Sequence, residues 1–296
     1  MTWYKKYLSV YEQPLQKAPQ EVIHEIKTKI EKLQSDTPLV SVVIIAYNEE
    51  KHLLANLWSL SDSVCQYPME IIGVDNDSSD NTAEIFKMTG IPYYTEYEHS
   101  CGYARRCGLN HARGKYYICI DSDTMYPKKY IETLVKTLEK PNTVAVSSLW
   151  GYIPDKQHPW LAVKIYEFLR DLHLFLQSFK RPELSVRGLV FAYPIEYGRQ
   201  VGYRVEIKRG EDGSMAFALK KYGKIRFIRS RKARAVTGYG TVGVDGSFFN
   251  SFKVRALKAL KNTGSLFTKQ EEYKVEESNL IDKPQHEIQP LNYIND

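Results

Sequence analysis

Three apolar runs, separated by segments with helical spacing, constrain the fold of this chain more than any other feature. They cover residues 39–46, 69–74 and 116–120. The first is apolar at nearly every position, which is typical of a strand buried on both faces of a parallel sheet. Asn48 is expected to cap the helix that follows it. Strand, helix, strand, helix and strand in this order form a βαβαβ unit, so the chain is predicted to be an α/β protein with a mostly parallel sheet flanked by helices.

Two carboxylates stand where the third run ends, at Asp121 and Asp123 on either side of Ser122. Ligands of open α/β sheets bind at the carboxyl ends of the strands. Side chains two positions apart in an extended segment point the same way, so these carboxylates are expected to converge. Converging carboxylates suit Mn²⁺ or Mg²⁺, which often binds together with phosphates. Asp-x-Asp also occurs in ordinary turns, so the triplet alone does not establish a site.

Two further acidic clusters support a functional interpretation of that triplet. The segment from Asp75 to Asp80 follows the second strand, and Glu211 with Asp212 opens a later helix. The carboxyl ends of parallel strands lie on one edge of a sheet, so the first cluster is expected to lie beside Asp121. A turn or a helix cap explains each cluster taken singly. Their common placement is harder to explain in that way.

Composition excludes some classes of protein. The chain has 296 residues, of which 43% are hydrophobic and 26% charged, as in a globular protein. A net charge of +6 suits an anionic ligand or an anionic membrane surface, but no dense Lys/Arg block indicates a nucleic-acid partner. The four cysteines form no CxxC pair, and neither a signal peptide nor an apolar stretch long enough to span a bilayer is evident. A cytoplasmic location is therefore expected.

Four motifs in order resemble those of the family 2 glycosyltransferases, which have the GT-A fold. The opening strand and turn cover 40–50, and the second signature covers 74–82. Residues 121–123 match the DxD motif of that family, and residues 210–212 match its ED motif. The resemblance extends over about residues 38–240. It implies a fold and a class of chemistry, but no particular substrate.

The resemblance also implies a division of the chain. A single catalytic GT-A domain with a Rossmann-like sheet would occupy residues 38–264. Its nucleotide-binding half would be 38–124 and its acceptor half 125–264. Residues 1–37 would form a helical amino-terminal extension, and residues 265–296 a carboxy-terminal tail.

A binding site for a UDP- or GDP-linked sugar is implied as well. Asp123 would bind the Mn²⁺ or Mg²⁺ ion, and Asp121, the second carboxylate of the metal site, would lie by the ribose or a metal-bound water. Tyr47 would stack on the base and Asn76 would bond to its edge. The family often has Asp where this chain has Asn76, and an amide both donates and accepts, so uracil and guanine remain open. The implied nucleotide-sugar residues are Ala46, Tyr47, Asn48, Glu49, Asp75, Asn76, Asp77, Arg105, Asp121 and Ser122.

Transfer to an acceptor hydroxyl needs a base opposite the leaving group. By resemblance this base is Asp212, and Glu211 shapes the acceptor site. A helix start lowers the pKa of Asp212 whereas burial and nearby acids raise it, so the direction is left open. Because the only histidine after His173 is His286, the metal is expected to be held by Asp123, water and the diphosphate. The expected reaction is metal-dependent inverting transfer to a glycan, a lipid-linked acceptor or another hydroxyl.

Two other functions remain open. Residues 238–243 fit G-x-G-x-x-G, the fingerprint of a dinucleotide-binding oxidoreductase, although no convincing acidic strand follows them. The glycine-rich segment 238–246 could instead be a lid over the diphosphate or a simple connector. The second alternative is a non-catalytic carbohydrate- or partner-binding module on the same fold.

The second half contains a long helix after Pro159 with apolar residues at 4-3-4-3-4 spacing. They are Leu161, Ile165, Phe168, Leu172, Phe175 and Phe179. This stripe is expected to face the core or a packing partner, with acceptor or membrane contact as the alternative. Peripheral membrane contact is considered for the aromatic and basic residues at 3–7 and for a basic helix over 248–261, with solvated faces as the simpler interpretation.

Overall fold

The computed structural model describes residues 3–154 and 160–239, which contain ten strands and eight α-helices. The strands are β1 (Val40–Ala46), β2 (Met69–Asp75), β3 (Tyr93–Thr95), β4 (Tyr116–Asp121), β5 (Thr124–Met125), β6 (Thr143–Ser148), β7 (Trp150–Tyr152), β8 (Phe191–Pro194), β9 (Lys224–Ile228) and β10 (Ala235–Thr237). The helices are α1 (Gln20–Leu33), α2 (Glu50–Ser61), α3 (Thr82–Met88), α4 (Cys101–His111), α5 (Tyr130–Leu138), α6 (Trp160–Lys180), α7 (Ile195–Val201) and α8 (Glu211–Leu219).

Seven of these strands form the main sheet, in the order β3-β2-β1-β4-β8-β6-β9. The strands from β3 to β4 are all parallel, β8 is antiparallel to both of its neighbours, and β9 is parallel to β6. The prediction of a mostly parallel α/β sheet is therefore confirmed.

The first strand is buried on both faces, as its apolar run predicts. Val42 and Ile44 belong to the larger core cluster, which includes side chains of α1, α2 and α5. Val43, between them, belongs to the cluster on the opposite face, together with residues of α4 and α8. Successive side chains of a strand point to opposite faces, so a run without alternation is stable only between two helical layers.

A second sheet of three short strands begins directly after the DxD motif. Its order is β5-β10-β7, with β10 antiparallel to β5 and parallel to β7. Residues 143–152 are thus divided between the two sheets, since β6 belongs to the main sheet and β7 to the small one. The small sheet fixes the course of the chain beyond Asp123.

The amino-terminal extension packs on α2 instead of presenting an aromatic surface to solvent. Tyr7 is buried, its ring lies 5.6 Å from that of Trp58, and its hydroxyl donates to Asp62 Oδ2 at 2.9 Å. Lys6 forms ion pairs with Glu25 and Asp62. Of the aromatic residues considered for membrane contact at 3–7, Tyr7 is buried, and Trp3 and Tyr4 are partly buried against the core.

The long helix α6 contradicts the expectation that its apolar stripe faces the core. Leu161, Phe168 and Phe179 are 63%, 67% and 70% exposed. The reason is that the opposite face of α6 carries the groups that bind the protein body, among them Glu167 and Arg170.

Membrane-spanning helices are absent from the described ranges 3–154 and 160–239, since none of their helices is both long and apolar enough. The predicted basic helix over 248–261, the tail over 265–296 and residues 240–246 of the glycine-rich segment lie outside those ranges.

Candidate functional site

Three of the predicted motifs meet at one edge of the main sheet. In the register of the parallel strands, Ala46 stands opposite Asp75, and Ile45 stands opposite Asp121. The residues that follow β1, β2 and β4 therefore lie side by side, as expected for the carboxyl ends of parallel strands.

The turn between β1 and α2 is fastened to the loop after β2. Asn48 has a φ of 53°, a strained value for a residue with a side chain, and such strain is often found at functional sites. Its side-chain oxygen accepts a hydrogen bond from the backbone N–H of Ser79 at 2.8 Å. The backbone N–H of Glu49 donates to Thr82 Oγ1 at 2.8 Å. The predicted cap was wrong, because Asn48 is used to hold the neighbouring loop and Glu49 occupies the cap position of α2.

Two polar side chains, Asp75 and Asn76, are buried at the carboxyl end of β2. The amide nitrogen of Asn76 donates to the carbonyl oxygens of Glu96 and Glu98, both at 2.8 Å. Carbonyl oxygens only accept, so these bonds orient the amide and leave Asn76 Oδ1 as an acceptor. Asp75 is 4% exposed, and its Oδ1 accepts no hydrogen bond within the described residues. Such an unsatisfied buried oxygen needs a partner, which a ligand can supply.

An exposed aromatic side chain, Tyr47, follows β1 next to these buried groups. Tyr47 is 52% exposed, and its ring meets His99 edge-on at a centroid distance of 5.3 Å. Asp77, with a φ of 57°, places Oδ2 3.3 Å from His99 Nε2. A planar ligand could therefore stack on the open face of Tyr47.

The DxD turn is held by side chains of neighbouring elements. The amide nitrogen of Asn56 donates to the carbonyl oxygens of Asp121 and Thr124, at 3.0 and 2.6 Å. The backbone N–H of Asp121 donates to Tyr126 Oη at 3.2 Å. Asp123 Oδ1 accepts from Thr124 Oγ1 at 2.8 Å. Both carboxylates of the motif remain partly exposed, whereas Ser122 between them is buried.

Arg105 connects the DxD motif with the ED motif. Its side chain is 1% exposed, and its guanidinium bonds to Asp121 Oδ1 and donates to the carbonyl oxygen of Ile120 at 3.2 Å. Its Nε lies 3.6 Å from Asp212 Oδ1. Asp212 lies in the first turn of α8, after Gly210 with a φ of 96°. Arg105 is therefore a buried link between two predicted site residues.

Gly188, which the sequence did not single out, packs directly against the pair formed by Arg105 and Asp212. A Cβ atom at this position would lie 2.2 Å from Asp212 Oδ2 and 2.5 Å from Arg105 Nη2. Only a residue without a side chain allows the backbone to approach so closely. Glu211, the other member of the ED motif, is also buried, at 8% exposure.

The site carries more negative than positive charge. Burial and the neighbouring Glu211 raise the pKa of Asp212 well above its usual value, and Arg105 offsets only part of this. Burial, Asp121 and Glu49 raise the pKa of Asp123 to about 6. Like charges and desolvation both favour the protonated acid, and a bound cation would oppose them.

Helix α2 carries a cation close to this edge, which the sequence also did not reveal, and Glu12 of the amino-terminal extension pairs with it. His52 Nδ1 lies 2.6 Å from Glu49 Oε2, and its Nε2 lies 3.1 Å from Glu12 Oε1. Burial lowers the pKa of His52, but the bonds to Glu49 and Glu12 outweigh burial and raise it to about 9. The imidazole is therefore charged at neutral pH.

The donor set at Asp121 and Asp123 fits a divalent cation that is shared with phosphates. The described residues contain no group of three or more His, Cys, Asp or Glu side chains able to hold a metal ion. The partly exposed carboxylates of Asp121 and Asp123 supply hard oxygen atoms but leave most of the coordination sphere of a metal ion to other ligands. That Asp123, water and a diphosphate hold the metal stays a prediction.

The fold and the strand-edge site define an α/β protein of the GT-A class. The chain belongs to glycosyl transferase family 2, whose model matches residues 41–207. The family assignment made from the motifs is thereby confirmed.

Curated relatives include an uncharacterized glycosyltransferase of Rickettsia prowazekii (strain Madrid E), 26% identical over 211 residues, which cover 68% of this chain and 66% of that protein. Chondroitin synthase of Escherichia coli is 26% identical over 206 residues, which cover 66% of this chain and 29% of the synthase. The match thus spans about two thirds of the first relative and less than a third of the second.

Solved structures confirm the GT-A fold. The mannosyltransferase PcManGT from Pyrobaculum calidifontis, in complex with GDP-Man and Mn²⁺, superposes with a TM-score of 0.54 at 17% identity, over 80% of this chain and 72% of that one. Glucosyl-3-phosphoglycerate synthase from Mycobacterium tuberculosis, in complex with Mn²⁺, UDP-glucose and phosphoglyceric acid, gives 0.52 at 19% identity, over 81% and 84%.

Proposed function

We propose that this protein transfers a sugar from a nucleoside-diphosphate sugar to an acceptor hydroxyl with inversion, and that Asp212 is the general base. The observation that carries the proposal is the contact of buried Arg105 with both Asp121 and Asp212. It connects the edge of the sheet, where a nucleotide would bind, to a carboxylate on a separate helix. A base on the far side of the donor is what direct displacement requires.

The nucleotide would lie over the ends of β1, β2 and β4. Tyr47 would stack on the base, and Asn76 Oδ1 would accept a hydrogen bond from its ring N–H. Both uracil and guanine present such a donor, and the solved neighbours contain a UDP-sugar in one case and a GDP-sugar in another. Asp75 or Asp77 would accept a hydrogen bond from the ribose. The backbone and the turn contacts described above would shape the nucleotide pocket at Ala46, Asn48, Glu49 and Ser122.

Asp123, with Asp121, would hold Mn²⁺ or Mg²⁺ between the carboxylates and the diphosphate. A bound cation neutralises the charge that grows on the diphosphate as the sugar departs. The excess of acidic groups supports this assignment, because burial, Asp121 and Glu49 raise the pKa of Asp123 and a bound cation would offset the repulsion between these acids. Arg105 has its charge directed at Asp121 and Asp212, so we assign it to positioning these two side chains and not to contact with the donor.

Asp212 would accept the proton of the acceptor hydroxyl while the acceptor oxygen bonds to the anomeric carbon. The bond from that carbon to the diphosphate oxygen breaks in the same step. A base works best when its pKa is near the working pH, and burial with Glu211 moves the pKa of Asp212 upward in that direction. Glu211 would border the acceptor site. Arg105 and Gly188 keep Asp212 in place.

The acceptor would be a glycan or a lipid-linked hydroxyl compound. We propose a nucleotide-binding half over 38–124 and an acceptor half over 125–264, and a cytoplasmic reaction with contact to the inner face of a membrane.

The dinucleotide alternative has little support in the described part. The strand before Gly238 belongs to the small sheet and not to the parallel one, and residues 240–243 lie outside that part.

The test is the Asp212→Asn variant, assayed for transfer and for nucleotide-sugar affinity with Mn²⁺. The amide nearly preserves shape but accepts no proton, so turnover should fall by about 10²–10⁴-fold while donor affinity stays unchanged. Glu206→Gln, an exposed acid on the same segment, is the matched control and should behave as wild type. Unchanged turnover of Asp212→Asn would make Asp212 a structural residue. A wild-type protein that binds donor but never transfers would support the non-catalytic module.

A further inference from the structure

Helix α6 turns its apolar face to solvent and its charged face to the protein, which is the reverse of an ordinary amphipathic helix at a protein surface. Eight of the twelve large hydrophobic side chains that are exposed in the described ranges lie on this one helix. Scattered exposed apolar residues need no explanation, but a contiguous patch marks an interaction surface. The eight residues, called here the α6 stripe, are Trp160, Leu161, Ile165, Phe168, Leu169, Leu172, Leu176 and Phe179.

The inward face of α6 is anchored by charged groups. Glu167, 3% exposed, accepts a hydrogen bond from the backbone N–H of Tyr152 at 2.8 Å and pairs with Arg234 at 3.1 Å. Asp171 pairs with the same Arg234 at 2.6 Å. The guanidinium of Arg170 lies 4.2 Å from the ring centre of Trp150. Rotating α6 to bury the stripe would break all of these contacts, so its outward direction is fixed by the fold.

The charge around the α6 stripe is positive. Its two acidic residues, Glu167 and Asp171, are bound on the protein side. Lys164 is exposed but pairs with Glu167 at 2.7 Å, whereas Lys180 is exposed at the carboxyl end of the helix. The guanidinium of Arg229 lies 4.3 Å from the ring centre of Phe175, which places another cation at its edge. The whole chain carries a net charge of +6. An apolar face with a basic margin is the pattern of a helix that binds the surface of an anionic membrane.

We propose that α6 lies in the interface of an anionic lipid bilayer, with the α6 stripe among the headgroups and the upper acyl chains. A helix of 21 residues is about 30 Å long, enough for a sizeable contact parallel to the surface. A second copy of the chain fits less well. A two-fold contact between two α6 stripes would bring the same basic margins together without an exposed acid on α6 to pair with them. This proposal is independent of the transfer reaction.

Sedimentation of the full chain with vesicles tests this contact. Vesicles of phosphatidylcholine mixed with phosphatidylglycerol should bind the protein, and phosphatidylcholine alone should bind it more weakly. Phe168→Gln combined with Leu172→Gln removes two exposed side chains without adding charge, so the fold should remain and vesicle affinity should fall at least about tenfold. Tyr97→Gln, at a 73% exposed residue away from α6, is the matched control and should bind as wild type.

Trp160 provides a second readout, because it begins the helix and is 62% exposed. Its fluorescence should shift to shorter wavelength on the mixed vesicles and be quenched by brominated lipids, and Trp160→Phe should remove that signal. Absence of vesicle binding by wild type, or equal binding by the double variant, would overturn the proposal. A wild-type dimer by light scattering that the double variant dissociates, without any vesicle binding, would assign the α6 stripe to a second copy instead.

Discussion

Gly188→Ala tests whether the position of Asp212 governs transfer. The added methyl carbon would lie 2.2 Å from Asp212 Oδ2 and 2.5 Å from Arg105 Nη2, whereas an ordinary contact is longer than 3.4 Å. One or both side chains must therefore move by about 1 Å. Arg105 has little freedom, because Asp121 and the carbonyl oxygen of Ile120 hold it. Most of the displacement should fall on Asp212.

The expected consequences differ for stability and for transfer. Overpacking of this kind lowers the free energy of unfolding by about 1–3 kcal/mol. A displacement of about 1 Å in a reacting group can reduce the rate by about 10²-fold. Donor affinity should change little, since Tyr47, Asn76 and Asp123 lie on other elements. Urea unfolding, kcat and nucleotide-sugar affinity with Mn²⁺ measure the three quantities separately.

Gly198→Ala is the matched control. Its Cβ would lie 2.3 Å from Tyr193 Cε2, an equally close contact in the core behind the site. This variant should lose stability without the loss of kcat. If Gly188→Ala kept wild-type kcat with a similar loss of stability, the position of Asp212 would not govern transfer, and the assignment of the base would be refuted.

Two further predictions concern charge. Asp123→Asn should abolish Mn²⁺-dependent donor binding. It should leave the free energy of unfolding at neutral pH equal or higher, because burial and like charges disfavour the native carboxylate. Donor titrations that show the same dependence on Mn²⁺ as wild type would contradict this. His52 has its pKa raised to about 9, so its contribution to stability is complete below its unfolded pKa of about 6.5 and is lost as pH rises through 9. With partly exposed partners this amounts to about 1–2 kcal/mol. Urea unfolding of wild type and His52→Gln should therefore differ at pH 6 and converge above pH 9.5; a constant difference would contradict the assignment.

The order and type of the elements around the site could be predicted from sequence because local signals agree there. The unbroken apolar run of β1 requires a layer on each face, and polar residues at 75–80 and 121–123 mark where β2 and β4 end. Parallel pairing then brings these ends to one edge without further information. The boundaries were less certain. Asn48 looks like a helix cap, but a tertiary bond to Ser79 takes its side chain.

Contacts between distant segments could not be predicted in the same way. Arg105 stands in a helix with polar neighbours, and nothing local shows that it is buried between Asp121 and Asp212. Gly188 matters only through the atoms that a side chain would meet. The apolar spacing of α6 correctly indicates a one-sided helix, but spacing does not tell which side faces the protein. That direction is set by Glu167 and its ionic partners, which come from other elements.

The two buried ionic networks differ in a way that bears on function. Around α6, Glu167 and Asp171 are matched by Arg234, Arg170 and Lys164, so each carboxylate has a cationic partner and the network fixes an orientation. At the sheet edge Arg105 is the buried cation for a group of acids, and the pKa of Asp212 is raised well above its usual value. Buried ion pairs add little to stability, and surplus buried acid lowers it. An arrangement that costs stability where the loops after β1, β2 and β4 converge therefore supports the proposal that this edge serves a cationic ligand and a proton acceptor.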